Sequence, residues 1–322
     1  MADIYRLNVD IKTVTEMMAV FGSGDKHLKL LAELFHTEVF AIEGGVGVTA
    51  PDALAQDQIA RVVRVLLQLH HRNVLFNERD VVYIVNLIRA DQDEEILDLF
   101  LSRREVIKTY AGKPVYAKTI NQKKYLDAIE ANTVTLSIGP AGTGKTYLAV
   151  LVGLKKLKEG QVKQVILTRP AVEAGENLGF LPGDLKEKID PYLRPLYDAM
   201  YEIYGAKQTD ELIAKGVIEI APLAYMRGRT LENAFVILDE AQNTTVGQMK
   251  LFLTRLGFGT KMIVTGDVTQ SDLPKKTESG LAKAGRILNN IRGIEIVHFD
   301  KIDVVRHPLV QTILTRFEDA ED

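Results

Sequence analysis

The sequence contains no cysteine, and this absence removes several classes of protein at once. Disulfides, thiolate metal sites and cysteine nucleophiles all need a sulfhydryl group, so none of them can operate in this chain. Any metal ion must be held by oxygen ligands or by histidine. A chain of 322 residues without cysteine also fits an intracellular protein better than a small secreted one.

Long apolar runs are missing as well. The longest, such as Tyr147 to Leu154, fall far short of the roughly 18–20 residues that span a bilayer. The start of the chain, MADIYRLNVD, lacks the basic segment followed by an apolar one that marks a secretory signal. We therefore expect a cytoplasmic protein.

A strong net charge of either sign is also absent. The formal net charge is −3, so the molecule as a whole does not attract phosphate. If nucleic acid is a partner, a local basic patch must bind it. The composition therefore neither supports nor excludes RNA.

Residues 1–95 predict a small α+β domain. A helix-like run from His27 to Phe35 precedes two short β-rich pieces, Glu38 to Glu43 and Val46 to Ala50. Gly44-Gly45 splits these pieces as the turn of a hairpin would. A long amphipathic helix and then a second helix, about Glu78 to Ala90, complete the predicted domain.

Residues 96–120 are predicted to be a basic linker, and residues 121–322 a second domain. Between Arg103 and Lys124, seven lysine or arginine residues accompany a single acid, Glu105. Gly112 and Pro114 interrupt any helix in this stretch.

The second domain is predicted to be α/β. From Thr133 onward, short β-rich runs alternate with amphipathic helices such as Thr146 to Lys158 and Val246 to Leu256. That alternation predicts a mostly parallel sheet covered by helices on both faces. The predicted strands are Val134 to Ile138, Gln164 to Thr168, Val217 to Ala221, Ala234 to Leu238, Lys261 to Thr265 and Ile294 to Phe299.

Residues 139–146, GPAGTGKT, match the full phosphate-binding-loop pattern between a predicted strand and a predicted helix. Backbone N–H groups of such a loop surround the β- and γ-phosphates of a nucleotide at a helix N-terminus, where the dipole favours negative charge. Lys145 supplies a positive charge, and the Thr146 hydroxyl is placed to bind Mg²⁺. The alternative is a glycine-rich turn that meets the pattern by chance. The predicted nucleotide contacts are Gly139, Pro140, Ala141, Gly142, Thr143, Gly144, Lys145, Thr146 and Tyr147.

A second acidic strand end is expected near the loop, and FVILDEAQ, Phe235 to Gln242, provides it. Asp239 is predicted to hold Mg²⁺ directly or through water, and Glu240 to act as the base or the orienting group for the attacking water. A solvated turn is the alternative for this acidic pair. The strand KMIVTGDVTQSDLP ends in Thr265, Asp267 and Gln270, which either contact the γ-phosphate or form a polar loop.

Residues from about Gln122 to the end resemble the PhoH-like ATPase family, a single-core relative of superfamily 1 helicases. The resemblance implies a P-loop NTPase core of the RecA-like kind, with a KH-like domain before it. A KH domain binds nucleic-acid backbone with a Gly-x-x-Gly loop, whereas this chain has Gly22-Ser23-Gly24-Asp25, so protein docking and RNA binding are both open for that domain. Six stretches carry the resemblance: Leu167 to Met200, Ala221 to Thr230, Leu238 to Thr245, Phe252 to Lys261, Thr265 to Pro274 and Asp303 to Val310.

The resemblance also implies roles for three further residues. Gln122 corresponds to an adenine contact that would select ATP, although an exposed linker glutamine is the alternative. Arg306 corresponds to an arginine finger that neutralises charge on the γ-phosphate. Arg169 corresponds to a position that faces nucleic acid in helicase relatives, and a structural ion pair is its alternative.

The motifs predict Mg²⁺-dependent ATP hydrolysis, and the family resemblance implies that it is coupled to RNA remodelling or processing, with DNA still open. One alternative is a nucleotide-dependent scaffold that recruits an endoribonuclease. Another is a small-molecule kinase, which the adjacent acids Asp239 and Glu240 disfavour because such a pair suits activation of water. Because Arg306 lies far along the chain and the sequence contains one core domain, we expect a ring-like homo-oligomer with ATP sites between subunits.

Overall fold

The computed structural model describes residues 4–49, 52–103, 105–170, 196–274 and 276–305, together with residues 309, 310, 313, 316 and 317. The chain divides into two compact units. The first unit holds Met1–Arg103 and Val305–Asp322, and the second unit holds Arg104–Val304. Within the described ranges, no helix is long and apolar enough to cross a membrane.

The first unit contains a three-stranded antiparallel sheet. It consists of β1 (Tyr5–Arg6), β2 (Val39–Ile42) and β3 (Gly45–Val48), with β3 in the middle. Gly44 has φ of 67°, so the turn between β2 and β3 uses a backbone conformation that favours glycine. The predicted hairpin and the α+β fold of this part are confirmed.

Between residues 14 and 101, five α-helices accompany this sheet in the first unit, and two of them bury a continuous apolar face. Val62 and Leu66 of one helix and Ile84 and Ile88 of the next are fully buried. The Gly22–Asp25 turn connects the first two helices and does not have the Gly-x-x-Gly spacing. The helices are α1 (Val14–Phe21), α2 (Lys26–Phe35), α3 (Ala53–His71), α4 (Glu78–Arg89) and α5 (Ile96–Leu101).

The stretch predicted as a linker is structured. After α5, an antiparallel hairpin is formed by β4 (Glu105–Lys108) and β5 (Pro114–Tyr116). The neighbouring residues Val106 and Ile107 are both only 6% exposed and belong to the core of the second unit. The stretch predicted as a basic linker, residues 96–120, therefore contains a helix and a hairpin, and the apolar side chains of the hairpin lie in the core of the second unit.

The second unit is built on a six-stranded sheet in which every pairing is parallel. The strand order is β11-β6-β10-β9-β7-β8. The predicted α/β fold with a parallel sheet is confirmed, and each predicted strand agrees with the observed one to within one residue at either end. The strands are β6 (Val134–Ile138), β7 (Gln164–Arg169), β8 (Ile218–Pro222), β9 (Ala234–Leu238), β10 (Lys261–Gly266) and β11 (Ile294–His298).

Helices cover both faces of this sheet. One apolar core includes Leu148 and Leu151 together with Ile237 of the sheet, and the other includes Phe252 and Val236. Successive residues of β9 therefore point to opposite cores, as expected for a strand buried on both faces. The helices of the second unit are α6 (Ile120–Ala131), α7 (Lys145–Lys158), α8 (residues 196–204), α9 (Ala206–Ala214), α10 (Val246–Leu253) and α11 (Gly280–Ile287).

The carboxyl ends of four neighbouring strands meet at one edge of the sheet. Ile138 at the end of β6 pairs with Gly266 of β10, and Leu238 at the end of β9 pairs with Thr168 of β7. The residues that follow these strands are consequently brought close together, and they include most of the predicted site.

Candidate functional site

The loop between β6 and α7 contains glycine at positions where a side chain does not fit. Gly139 has φ of 153°, and a Cβ atom at this position would lie 2.3 Å from the carbonyl oxygen of Phe299. Gly144 has φ of 82°, and its Cβ would lie 3.1 Å from Nε2 of Gln122. Gly144 is also the N-cap of α7 and has no side chain to cap the first N–H groups of that helix. These N–H groups and the helix dipole favour binding of an anion.

Lys145 is folded back onto this loop. Its Nζ donates hydrogen bonds to the carbonyl oxygens of Gly139 at 2.8 Å and Pro140 at 2.7 Å, and to Oγ1 of Thr143 at 3.2 Å. Burial lowers the pKa of the ammonium group, and nearby carboxylates, with Asp267 the strongest, oppose that change. Phosphate oxygens would offer this cation stronger partners than the neutral oxygens of the loop.

Asp239 follows β9, and both oxygens of its carboxylate accept hydrogen bonds. Oδ1 accepts from the hydroxyl groups of Thr146 and Thr265, each at 2.6 Å. Oδ2 accepts from Nε of Arg169 at 2.9 Å and also from Nη2 of the same guanidinium. The side chains of Arg169 and Asp239 are 19% and 6% exposed, so this ion pair is largely shielded from water.

Thr146 and Asp239 together provide the kind of oxygen atoms that Mg²⁺ prefers. Among the described residues, no cluster of three or more histidine, aspartate or glutamate side chains could hold a metal ion without further ligands. Mg²⁺ usually takes one or two protein carboxylates and completes its octahedron with phosphate oxygens and water. The donor set therefore fits a cation that arrives together with a nucleotide.

Glu240 is the exposed acid of the site, and a buried amide orients it. Its backbone has φ of 53°, in the left-handed region that non-glycine residues seldom adopt. Oε2 of Glu240 accepts from Nε2 of Gln242 at 2.6 Å, and Oε1 of Gln242 accepts from the N–H of Asp267 at 3.1 Å. The carboxylate is thus held relative to β10, as a group that positions a water molecule must be.

One cavity of about 360 Å³ joins these groups. The described residues that line it include Lys145, Thr146, Asp239, Glu240 and Gln270, all of them predicted from the motifs. Asp267 also lines the cavity, and its Oδ2 accepts a hydrogen bond from the N–H of Ala141 in the phosphate loop at 3.3 Å. The other lining residues are Ala141, Gly142, Gly144, Tyr147, Arg169, Leu196, Ala199 and Gly266.

Gln122 uses both ends of its side-chain amide within the protein. Its Oε1 accepts from the N–H of Lys118 at 2.7 Å, and its Nε2 donates to the carbonyl oxygen of Thr143 at 3.0 Å. Both amide atoms are therefore engaged with backbone, and the side chain is only 9% exposed. Gln122 therefore connects the segment before α6 to the phosphate loop. The adenine contact stays a prediction.

Arg306, the predicted arginine finger, lies outside the described residues, as does most of the stretch from Leu167 to Met200 that carries the family resemblance. For Arg169, the structure gives the ion-pair alternative, with Asp239 as the partner. Two features of the site were missed by sequence reasoning, namely that Asp239 is the partner of Arg169 and that Gln242 donates a hydrogen bond to Glu240. The second had a local signal, because an amide two residues after an acid in a turn can reach back to it.

The comparisons with known proteins identify the family of the chain. The family profile described as PhoH-like protein matches residues 114–318. The chain belongs to the PhoH-like family. The PhoH-like protein of Bacillus subtilis (strain 168) is 50% identical over 313 residues, which cover 97% of each chain. The PhoH-like protein of Mycobacterium leprae (strain TN) is 47% identical over 310 residues, covering 95% of this chain and 86% of the relative.

Among solved structures, the Pif1 helicase from Candida albicans is similar to this chain with a TM-score of 0.29 and 14% identity, covering 56% of this chain and 40% of that one. The PhoH-like family and the P-loop fold described above support a nucleotide-dependent ATPase, and they confirm the family resemblance found in the sequence.

Proposed function

We propose that this PhoH-like chain hydrolyses ATP with Mg²⁺ and couples hydrolysis to RNA. One observation carries the first part: Lys145, the Thr146–Asp239 pair and Glu240 line the same cavity of about 360 Å³. ATP hydrolysis needs a cation and a helix N-terminus for the phosphates, oxygen ligands for Mg²⁺ and a carboxylate for water. All of these parts meet at this edge of the sheet.

Each residue has one task in the proposed reaction. The first N–H groups of α7 and the ammonium of Lys145 bind the β- and γ-phosphates and stabilise charge that develops there. Thr146 and Asp239 would hold Mg²⁺, which supplies further positive charge to the phosphate oxygens. Glu240, held by Gln242, orients the attacking water and accepts its proton. Transfer of the γ-phosphoryl group to the hydroxyl of a small molecule is disfavoured, because Glu240 is assigned to the attacking water.

Phosphate release tests this proposal. We expect the purified chain to release phosphate from ATP in the presence of Mg²⁺ and not in EDTA, and to do so faster when single-stranded RNA is added. DNA of the same sequence is the control for the nucleic-acid class. No phosphate release under any of these conditions would contradict hydrolysis, whereas a rate that neither nucleic acid changes would contradict the coupling alone.

The support for RNA comes from the basic hairpin of the second unit. Tyr110, between β4 and β5, is 75% exposed, and Lys108 and Lys113 on the same hairpin are exposed as well. The N–H of Tyr110 donates to the carbonyl oxygen of Glu202 at 2.8 Å, and the ring of Tyr110 lies beside Gly205. These two contacts hold Tyr110 in place. Exposed aromatic rings among lysines suit single strands, because bases stack on the ring while lysines attract the phosphates.

Binding of a fluorescent single-stranded RNA tests this surface. Tyr110→Ala should weaken binding by about 1–3 kcal/mol, the usual value of one stacked base. Tyr225, which is 57% exposed elsewhere in the second unit, provides the matched control as Tyr225→Ala. Equal RNA affinity of wild type and Tyr110→Ala would mean that RNA binds to another part of the chain.

A ring-like homo-oligomer and an endoribonuclease partner belong to the proposal as well. Both are supported by the family resemblance. The ring is also supported by the second unit, which provides one core sheet for the nucleotide site. Mixing inactive Arg306→Ala subunits with inactive Lys145→Ala subunits should restore part of the turnover if a neighbour provides the finger. The scaffold alternative predicts instead that a nucleotide-dependent complex with a ribonuclease survives Glu240→Gln.

A further inference from the structure

The carboxylate of Asp239 is already fully occupied by protein donors. A carboxylate has about four lone-pair positions for hydrogen bonds. Two of them accept the hydroxyl protons of Thr146 and Thr265, and the other two accept Nε and Nη2 of Arg169. A cation, or a water molecule bound to it, can reach Asp239 only when one of these donors leaves.

The three donor residues differ in how readily they can leave. Thr146 need not leave, because its hydroxyl oxygen can bind a cation while its O–H still donates a hydrogen bond to Asp239. Thr265 is fully buried within β10, a strand paired on both sides. Arg169 is the charged donor among them, lines the cavity, and would be repelled by Mg²⁺ at short range. The guanidinium is therefore the group that a metal displaces.

We propose that Arg169 pairs with Asp239 in the nucleotide-free chain and is displaced from it when Mg²⁺ and nucleotide bind. This inference rests on the proposed function, because it assigns the cation to the same cavity. In the empty site the guanidinium keeps a buried carboxylate paired, and an unpaired one would be costly. In the loaded site the cation takes over that task, and the positive charge of Arg169 becomes available beside the phosphates.

A second arginine pair in the same unit provides a matched control. Arg229 donates to both carboxylate oxygens of Glu219 on β8, at 2.6 and 2.8 Å. The two side chains are 33% and 27% exposed, and neither residue lines the nucleotide cavity. The Arg229–Glu219 pair thus has the same chemistry as the Arg169–Asp239 pair without a competing cation.

Thermal unfolding separates a displaced arginine from a purely structural one. Wild type, Arg169→Ala and Arg229→Ala are melted in EDTA and again with Mg²⁺ and a non-hydrolysable ATP analogue. Arg169→Ala should lower the melting temperature in EDTA, and at least half of this difference should disappear in the loaded state, where the pair is already broken. Arg229→Ala should lower the melting temperature by the same amount in EDTA and in the loaded state. A loss for Arg169→Ala that is equal in both states would overturn the proposal.

Binding of Mn²⁺, followed by its electron paramagnetic resonance signal, gives a second readout that does not depend on turnover. Without nucleotide, Arg169→Ala should bind Mn²⁺ about tenfold more tightly than wild type, within the usual range for coupled sites. Arg169→Lys keeps the charge but loses the two-point contact, so it should lie between them. Equal affinities in wild type and Arg169→Ala would refute the displacement.

The two proposals fail in different ways. A chain that binds Mn²⁺ and nucleotide as described but never releases phosphate would end the proposal of hydrolysis and leave the role of Arg169 intact. A chain that hydrolyses ATP while Arg169→Ala changes neither Mn²⁺ binding nor the state dependence of melting would do the reverse.

Discussion

Two lysines of the second unit make nearly the same hydrogen bonds at opposite edges of the sheet. Lys145 donates to three oxygen atoms of the phosphate loop. Lys261 donates to the carbonyl oxygens of Ile129, Glu130 and Asn132 at 2.7, 2.9 and 2.6 Å. Burial lowers the pKa of both ammonium groups.

Their surroundings separate the two lysines. The oxygens around Lys261 belong to the last turn and the C-cap of α6, where a cation stabilises the negative end of the helix dipole. Lys145 instead lines a cavity that also contains Asp239, Glu240 and Asp267. Hydrogen bonding alone therefore does not distinguish a structural cation from a functional one, whereas a cavity with acids and an open helix N-terminus does.

The largest expected effect is on turnover. Lys145→Ala should lower ATP turnover by about 100-fold or more, because it removes a charge aimed at the reacting phosphates. Lys261→Ala should leave turnover per folded molecule unchanged. Both are measured as phosphate release at saturating ATP, and equal losses in the two variants would break the distinction between the lysines.

A smaller effect is expected from the amide that holds Glu240. Gln242→Ala should reduce kcat by about tenfold while nucleotide affinity stays the same, because the amide that orients the base is lost and Lys145, Thr146 and Asp239 remain. Gln161→Ala is the matched control, since Nε2 of Gln161 donates to the acid two residues earlier, Glu159, at 2.8 Å outside the cavity. If the loss appears in affinity and not in kcat, Gln242 shapes the cavity and does not orient the base.

The smallest effect is on stability. Lys261→Ala should lower the free energy of unfolding by about 1–2 kcal/mol, because the carbonyl oxygens that end α6 lose a charged donor. Urea unfolding followed by circular dichroism measures this value. Lys163→Ala, at an exposed position before β7, is the surface control and should stay near wild type. An unchanged stability would mean that water replaces Lys261 at no cost.

The part of the site that could be predicted is the part encoded locally. Strand, loop and helix follow each other from Val134 to Lys158, so periodicity and the glycine spacing place Lys145 and Thr146 without knowledge of the fold. Asp239 could be added because parallel strands end at one edge of a sheet. The site therefore needed only local patterns and one topological rule.

The remainder depends on contacts that are distant in sequence or on an irregular register. Arg169 and Asp239 are 70 residues apart, and nothing local indicates that they pair. The hairpin of β4 and β5 was hidden because its register shifts between Glu105 and Ile107. That shift lets consecutive apolar residues be buried and removes the alternation by which a strand is recognised.

The central claim is that this cavity binds ATP and that Glu240 activates the water. Glu240→Gln keeps the loop, Lys145, Thr146 and Asp239, so it should bind ATP and leave it intact. This variant and wild type are incubated with Mg²⁺ and ATP, the protein is separated from free nucleotide, and the bound nucleotide is identified by chromatography. We expect ATP on the variant and ADP on wild type. ADP on both, or no bound nucleotide on the folded variant, would contradict it.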